Sequence, residues 1–130
     1  MSSPSEILTQ YKIIAVVGLS PNRMRPSHGV SQYMQSQGYR IIPVNPGHSE
    51  ILGEKAYRKL EDIPEPVEIV NVFRRSEEVG PVVDSAIAIG AKAVWFQEGI
   101  RNDEAAAKAQ AAGLAVVQNR CILKEHRHLR

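Results

Sequence analysis

The chain has 130 residues, of which 43% are hydrophobic, 23% charged and only 5% aromatic. This size and composition fit a single globular domain over residues 1–130, with a core of Val, Ile, Leu and Ala. Sixteen Lys and Arg against fourteen Asp and Glu give a net charge of +2, which is far below that of most proteins that bind the nucleic-acid backbone. We therefore expect no nucleic-acid partner.

Three features of the sequence bear on where the protein resides. No apolar run reaches the ~18 residues that cross a bilayer, and residues 1–6 contain neither a basic cluster nor an apolar signal core. The single cysteine, Cys121, has no second cysteine with which to form an internal disulfide. We expect a cytoplasmic protein that does not associate with membranes.

The first helix and strand are predicted near the N-terminus. The segment Ser3–Glu6 combines a capping Ser, a Pro at the first helical position and a Glu three residues after the cap, which predicts a helix over 4–12. The branched apolar run over 13–17 predicts a buried strand. A polar loop follows over 18–28, and apolar residues at helical spacing then predict a second helix that ends at Gly38.

The middle of the chain predicts two more strands and a helix. Runs of branched apolar residues place strand two over 40–44 and strand three over 67–73. Between them the pattern is irregular, with one weak helical turn over 57–62. After strand three, Ser76 is predicted to cap a helix that ends at Gly90.

The last third of the chain completes the pattern. Strands four and five are predicted over 92–96 and 114–117, and an alanine-rich helix between them is capped by Asn102 and ended by Gly113. Residues 120–130 are predicted to form a basic tail.

Strands that alternate with helices through short connections are typical of parallel βαβ units. The sequence therefore predicts an α/β fold, a three-layer doubly wound domain with a parallel five-stranded sheet. In such folds ligands bind outside the carboxyl ends of the strands, near the point where the strand order reverses. The loops after strands one to four are thus the candidate site.

The loop after strand one, called loop one, carries several groups that bind anions. Gly18 permits close approach to the backbone, Ser20 and Ser27 offer hydroxyls, and the following helix start supplies unpaired N–H groups. Arg23 and Arg25 add forked donors that match phosphate oxygens. The alternative is an ordinary polar turn with solvated arginines.

The loops after strands three and four add weaker signals. Phe73–Ser76 contains two guanidinium groups, and Val79, one turn further on, is placed to lie against a flat ring. These arginines could equally be solvated at the surface. In the fourth loop, Gly99 allows a tight turn and Gln97 can donate or accept a hydrogen bond.

Several common nucleotide sites are absent from the sequence. Loop one has a single Gly18 in place of G-x-G-x-x-G, and strand two runs into Val44–Pro46 rather than an acidic residue, so a nicotinamide cofactor is disfavoured. No G-K-[ST] phosphate loop is present. Strands one and three do not end in Asp, which disfavours a phosphoacceptor domain.

Taken in order, six segments resemble the stand-alone CoA-binding domain family over residues 13–126: Ala15–Ser20, Arg25–Ser27, Ile42–Pro46, Val72–Ser76, Trp95–Ile100 and Asn119–Cys121. That family is similar to the N-terminal CoA-binding domain of the succinyl-CoA synthetase α-subunit. The T-E-G-I and P-N-C motifs of that subunit correspond to Gln97–Ile100 and Asn119–Cys121. The chain has Asn119 where many family members have Asp.

The resemblance implies a Rossmann-like fold that holds coenzyme A or an acyl-CoA. The phosphates would lie near loop one, the turn after strand two would contact the nucleotide, the third loop would flank the adenine and its phosphorylated ribose, and the fourth would line the pantetheine path. The implied cofactor-binding residues are Gly18, Leu19, Ser20, Arg25, Ser27, Val44, Asn45, Pro46, Phe73, Arg74, Arg75, Val79, Gln97, Gly99 and Ile100.

The resemblance also implies binding rather than catalysis. The ligase needs a phosphorylatable His in a second domain, and we expect no catalytic and no metal-binding residues in these 130. A non-catalytic carrier, sensor or regulatory protein is expected, with an unknown protein partner. The alternatives are a thioesterase-like or transferase-like enzyme completed by a partner chain, and a protein-interaction module that uses the basic tail.

Four histidines and the cysteine have no evident catalytic partner in the sequence. His28, His48, His126 and His128 are predicted to lie at the surface, with His28 the one nearest loop one. Cys121, just after strand five, is predicted to be a small buried residue, and the alternative is that it faces the coenzyme thiol.

Overall fold

The computed structural model describes residues 2–129 and contains the predicted parallel sheet. The strands are β1 (Ile13–Val17), β2 (Arg40–Val44), β3 (Glu50–Ile51), β4 (Glu54–Lys55), β5 (Ile69–Val72), β6 (Ala93–Phe96) and β7 (Ala115–Val117). The helices are α1 (Pro4–Gln10), α2 (Pro26–Ser36), α3 (Val79–Ala88), α4 (Asp103–Ala111) and α5 (Ile122–Arg127), with 3-10 turns at Leu60–Asp62 and Ser76–Glu78.

The main sheet has the spatial order β2-β1-β5-β6-β7, and all of its neighbouring strands are parallel. The chain moves outward from β1 to β2 and then returns to the other side of β1 at β5, so the order reverses between β1 and β5. In register, Val17 lies beside both Val44 and Val72. The loops after these three strands therefore start at the same level and meet at one edge of the sheet.

Strands buried on both faces need apolar side chains on both, and the sheet has a core layer on each side. One layer packs strand residues such as Val17 and Val72 against α3 and α4. The other packs Val16 and Trp95 with residues of α1, α2 and α5. This three-layer, Rossmann-like α/β arrangement in a single small domain confirms the predicted fold class.

Two predicted helix starts are confirmed at the level of single hydrogen bonds. The Glu6 backbone N–H donates to Ser3 Oγ at 3.3 Å, and the Ser3 N–H donates to Glu6 Oε1 at 2.8 Å, which closes the capping box of α1. Asn102 Oδ1 accepts from the Ala105 N–H at 3.0 Å at the start of α4. Both caps depend only on nearby residues, which is why the sequence predicted them.

One prediction about local structure is wrong, and two elements of the structure were not predicted. Ser76 does not cap α3, because a 3-10 turn precedes that helix and Ser76 Oγ instead accepts from the Arg101 N–H at 3.0 Å. The described part of the predicted tail contains α5, whose Ile122 is fully buried against the sheet. The irregular segment after β2 contains the antiparallel hairpin β3–β4, which the sequence pattern did not predict.

The helices between residues 2 and 129 are short. None of them is both long enough and apolar enough to cross a membrane.

Candidate functional site

A cavity of about 510 Å³ opens where the order of the strands reverses, between loop one and the loop after β5. We call it the loop cavity. Its position is the one that ligands occupy in open α/β sheets, and its volume is in the range of small-molecule sites. It is lined by Gly18, Ser20, Arg25, Pro26, Ser27, Phe73, Arg74, Arg75, Glu78 and Ile100.

Loop one is held in shape by its own hydrogen bonds. The Ser20 N–H donates to Ser27 Oγ at 3.0 Å, and the Asn22 N–H donates to Ser20 Oγ at 3.1 Å. These bonds fold the loop back on the start of α2, where Arg25 is the N-cap residue and makes no side-chain cap. The first turn of α2 therefore presents backbone N–H groups and a partial positive charge beside the loop cavity.

A second cavity of about 510 Å³ adjoins the first, and we call it the side cavity. Arg74 and Glu78 line both cavities, so the two cavities adjoin at these residues. The side cavity combines an apolar wall with charged residues at its margin. It is lined by Val17, Val44, Arg58, Lys59, Leu60, Arg74, Glu77, Glu78, Pro81, Val82 and Ser85.

The cationic side chains of both cavities have no acidic partner among residues 2–129. These cations are Arg25, Arg58, Lys59, Arg74 and Arg75. Elsewhere on the surface, Arg40 pairs with Glu54 and Glu65, and Lys124 pairs with Glu98. The cations of the two cavities are therefore available to an anionic ligand, and Arg25, Arg74 and Arg75 can offer forked donors to phosphate oxygens.

Hydrogen bonds connect the ends of β1 and β2. The Gly18 N–H donates to the Val44 carbonyl at 3.0 Å, which extends the sheet ladder by one residue. Asn45 Nδ2 donates to the Leu19 carbonyl at 2.9 Å, and Asn45 Oδ1 accepts from the Gly47 N–H at 2.8 Å. Asn45 thus fixes the turn after β2 against loop one.

The comparisons with known proteins agree with this geometry. A family model described as "CoA binding domain" matches residues 12–127. The chain belongs to this family of CoA-binding domains. The match covers nearly the whole fold, including the loops that line both cavities, and confirms the resemblance stated from the six sequence segments.

Individual relatives extend the comparison. "Uncharacterized protein YneT" of Bacillus subtilis is 45% identical over 131 residues, with 97% of each chain covered. A solved structure described as a "hypothetical protein from Pyrococcus horikoshii OT3" is 45% identical with a TM-score of 0.94, and the match covers 97% of this chain and 89% of that one.

A larger enzyme contains the same fold as one of its parts. It is the "dinucleotide forming Acetyl-coenzyme A synthetase 1" of Ca. Korarchaeum cryptofilum, which is 25% identical with a TM-score of 0.73. The match covers 85% of this CoA-binding domain but only 26% of the synthetase chain. The domain thus resembles about a quarter of that enzyme.

Nine of the fifteen predicted site residues line a cavity, and six do not. Gly18, Ser20, Arg25, Ser27, Phe73, Arg74, Arg75 and Ile100 line the loop cavity, with Arg74 also in the side cavity, and Val44 lines the side cavity. The other six are Leu19, Asn45, Pro46, Val79, Gln97 and Gly99. Leu19 and Val79 have no exposed surface, and their side chains pack in the core.

Two amide side chains connect the fourth loop to the start of α5 and to the segment just before it. Gln97 is only 4% exposed, and its Oε1 accepts from the Ile122 N–H at 3.0 Å. Asn119 Oδ1 accepts from the Gly99 N–H at 2.7 Å. In this CoA-binding domain, the two motifs that resemble the synthetase α-subunit therefore contact each other and position the wall that contains Ile100.

Sequence reasoning missed most of the side cavity. Arg58 and Lys59 lie in a segment with no clear periodicity, and Pro81 and Val82 lie on the helix predicted after strand three, with Val82 in its apolar stripe. A sequence signal did exist at Tyr57–Leu60, where two cations sit between an aromatic and an aliphatic residue. Only the folded chain places that segment beside Val44.

The prediction of a surface position is wrong for two of the four histidines. His28 is 7% exposed, and His126 is half-buried, with its Nδ1 2.8 Å from Tyr33 Oη. His48 and His128 are exposed as predicted. Cys121 is half-buried at the start of α5 and lines neither of the two cavities. Within residues 2–129, no group of three His, Cys, Asp or Glu residues is placed to hold a metal ion.

Proposed function

We propose that this protein binds coenzyme A or an acyl-CoA across the two adjoining cavities and acts as a non-catalytic carrier, sensor or regulatory protein. The observation that supports the proposal most is that Arg74 and Glu78 line both cavities, which places an anion-binding cavity directly beside a partly apolar one. Coenzyme A combines a diphosphate, a purine ring, a phosphorylated ribose and a flexible arm, so it needs both parts.

The diphosphate fits the loop cavity. Arg25 and Arg74 would supply charge-assisted hydrogen bonds. Ser27 lies in the first turn of α2, where the helix dipole favours an anion, and Ser20 is hydrogen-bonded to it. Gly18 has no side chain to hold a phosphate away from the backbone. These groups match the chemistry of the diphosphate without needing a metal ion.

From the diphosphate in the loop cavity, the two ends of the coenzyme would extend in different directions. The adenine would lie in the side cavity against Val44 and Val82, near the turn of Asn45 and Pro46. The pantetheine arm would pass Phe73 and Ile100, beside the turn at Gly99 that Gln97 and Asn119 support. Its thiol carries acyl groups as thioesters.

The side chains around the site support binding rather than catalysis. Among the described residues, neither cavity is lined by a His or a Cys, and nucleophile-and-base pairs most often use one of them. The serines in loop one are hydrogen-bonded to backbone N–H groups of the same loop. This arrangement suits a site that holds a ligand unchanged.

Titration calorimetry with coenzyme A, dephospho-coenzyme A, ATP and NAD at one salt concentration tests the proposal. We expect coenzyme A to bind with micromolar or lower Kd and more tightly than NAD. Equal affinity for coenzyme A and NAD would contradict the assignment of the ligand. Turnover of acetyl-CoA or succinyl-CoA by the isolated protein would contradict the non-catalytic role.

A further inference from the structure

Two exposed cations, Arg58 and Lys59, stand at the side cavity on a segment that is fixed at both ends. On one side, the Tyr57 N–H donates to the Pro43 carbonyl at 3.0 Å, and the Tyr57 carbonyl accepts from the Asn45 N–H at 2.8 Å. On the other side, Leu60 is only 3% exposed and packs in the core. The backbone of the two cations is therefore held beside the end of β2, while their side chains remain exposed.

The anchoring of this segment distinguishes it from an ordinary charged loop. Tyr57 pairs with Val44 along the free edge of β2, which would otherwise leave unpaired backbone groups. Val44 and Leu60 both line the side cavity. The two cations thus border the same space as the apolar wall, and their side chains make no ion pair with any of residues 2–129.

Two acidic residues also line the side cavity. Glu77 and Glu78 line it from the 3-10 turn that precedes α3. Their carboxylates offset the positive end of the α3 dipole and repel a phosphate group placed next to them. Arg74, the other cation among residues 2–129 that lines the side cavity, is assigned above to the diphosphate, so a further phosphate group in this cavity is favoured at Arg58 and Lys59.

We infer that Arg58 and Lys59 form a subsite for a phosphate monoester on the ribose of the bound nucleotide and set the preference for ligands that carry this group. The inference rests on the proposed function, because it assigns part of the same coenzyme site. A monoester has about −1.5 to −2 charge at pH 7 and three strong acceptor oxygens. Lys59 supplies an ammonium group on a flexible side chain, and Arg58 supplies a planar guanidinium group with paired N–H donors. Their two positive charges together match the charge of the monoester.

The test compares coenzyme A with dephospho-coenzyme A, which differ only in the ribose monoester. Titration calorimetry is performed on the unmodified protein and on a variant that combines Arg58→Gln with Lys59→Gln. We expect the unmodified protein to bind coenzyme A at least tenfold more tightly than dephospho-coenzyme A. In the double variant we expect the Kd for coenzyme A to rise about tenfold, with less than a threefold change for dephospho-coenzyme A.

A matched control removes the same charges elsewhere. Lys92→Gln with Arg127→Gln replaces one exposed Lys and one exposed Arg that line neither cavity, and we expect it to retain the preference of the unmodified protein. Thermal unfolding of each variant establishes that it is folded. Loss of the preference in the control as well would overturn the inference, because it would assign the effect to net charge.

The remaining outcomes separate this inference from the proposed function. The unmodified protein could bind coenzyme A while the double substitution weakens the binding of both ligands equally or of neither. That result would overturn the assignment of the phosphate subsite and leave the proposed coenzyme site in place. If the unmodified protein binds neither ligand, the proposed function is wrong and the subsite falls with it.

Discussion

Gly18 packs against the backbone of Phe73 so closely that a Cβ atom at residue 18 would stand 2.3 Å from the Phe73 carbonyl oxygen. Gly18 follows β1 and Phe73 follows β5, so this contact joins the two loops on either side of the loop cavity. The φ angle of Gly18 is +89°, in the region that favours glycine. Only a residue without a side chain fits here.

Gly18→Ala is expected to destabilise the fold. The backbone strain alone costs about 1–3 kcal/mol, and relieving the contact with Phe73 requires a shift of the backbone after β5. Urea unfolding at pH 7 measures the loss, and calorimetry with coenzyme A measures the effect on the cavity.

Gly29→Ala is the matched control for this substitution. Gly29 lies inside α2, and a Cβ there meets no atom within 4 Å. Alanine is the better helix former, so we expect a gain of roughly 0.5–1 kcal/mol. Equal effects of the two substitutions would contradict the role assigned to the contact between Gly18 and Phe73.

Arg74→Gln is expected to weaken the binding of coenzyme A, because Arg74 lines both cavities and has no acidic partner among residues 2–129. A charge-assisted hydrogen bond contributes about 1.5–3 kcal/mol, so we expect the Kd to rise at least tenfold. Calorimetry provides the measurement. Arg127→Gln removes an exposed Arg that lies away from both cavities, and we expect it to change the Kd by less than about twofold. An equal loss of affinity in both variants would contradict the assignment of Arg74 to the coenzyme site.

The ion pair between Arg40 and Glu65 should make stability depend on pH. Arg40 Nη2 donates to Glu65 Oε2 at 2.7 Å, and this hydrogen bond lowers the pKa of the Glu65 carboxyl below its ordinary value of 4.5. The stabilisation is therefore present above pH 4.5 and is lost as the pH falls through the lower pKa of the folded state.

Glu65→Gln removes this stabilisation. Because both side chains are partly exposed to solvent, we expect a loss of less than about 1 kcal/mol at pH 7, and a smaller difference from the unmodified protein at pH 3. Denaturant unfolding at the two pH values provides the test. Glu61→Gln, at an exposed carboxylate without an ion pair among residues 2–129, serves as the control. A difference that grows on acidification would contradict the argument.

Gln97→Leu should loosen α5. The substitution leaves the N–H of Ile122 without its acceptor in a buried position, and an unsatisfied buried donor costs about 1–3 kcal/mol. Urea unfolding and amide hydrogen exchange at Ile122 measure the effect. Gln10→Leu, at an exposed residue of α1, should change stability by less than about 0.5 kcal/mol. Unchanged exchange at Ile122 would show that the hydrogen bond is not needed.

The sequence by itself determined the order of the strands and helices and the loops that form the candidate site. Apolar runs, helical spacing and caps such as Ser3 and Asn102 act over a few residues, so they can be read without knowing the fold. The alternation of strands and helices then placed loop one and the loop after β5 at one edge of the sheet. The resemblance to CoA-binding domains followed from the motifs in these same loops.

Only the tertiary structure decided which side chains face the site. Val79 and Leu19 turn into the core, and Gln97 turns to the N–H of Ile122, because packing over long sequence separations determines where each side chain has room. Arg58 and Lys59 join the site because Tyr57 pairs with β2. Local patterns contain no information about such contacts, so the side cavity was visible only once the chain was folded.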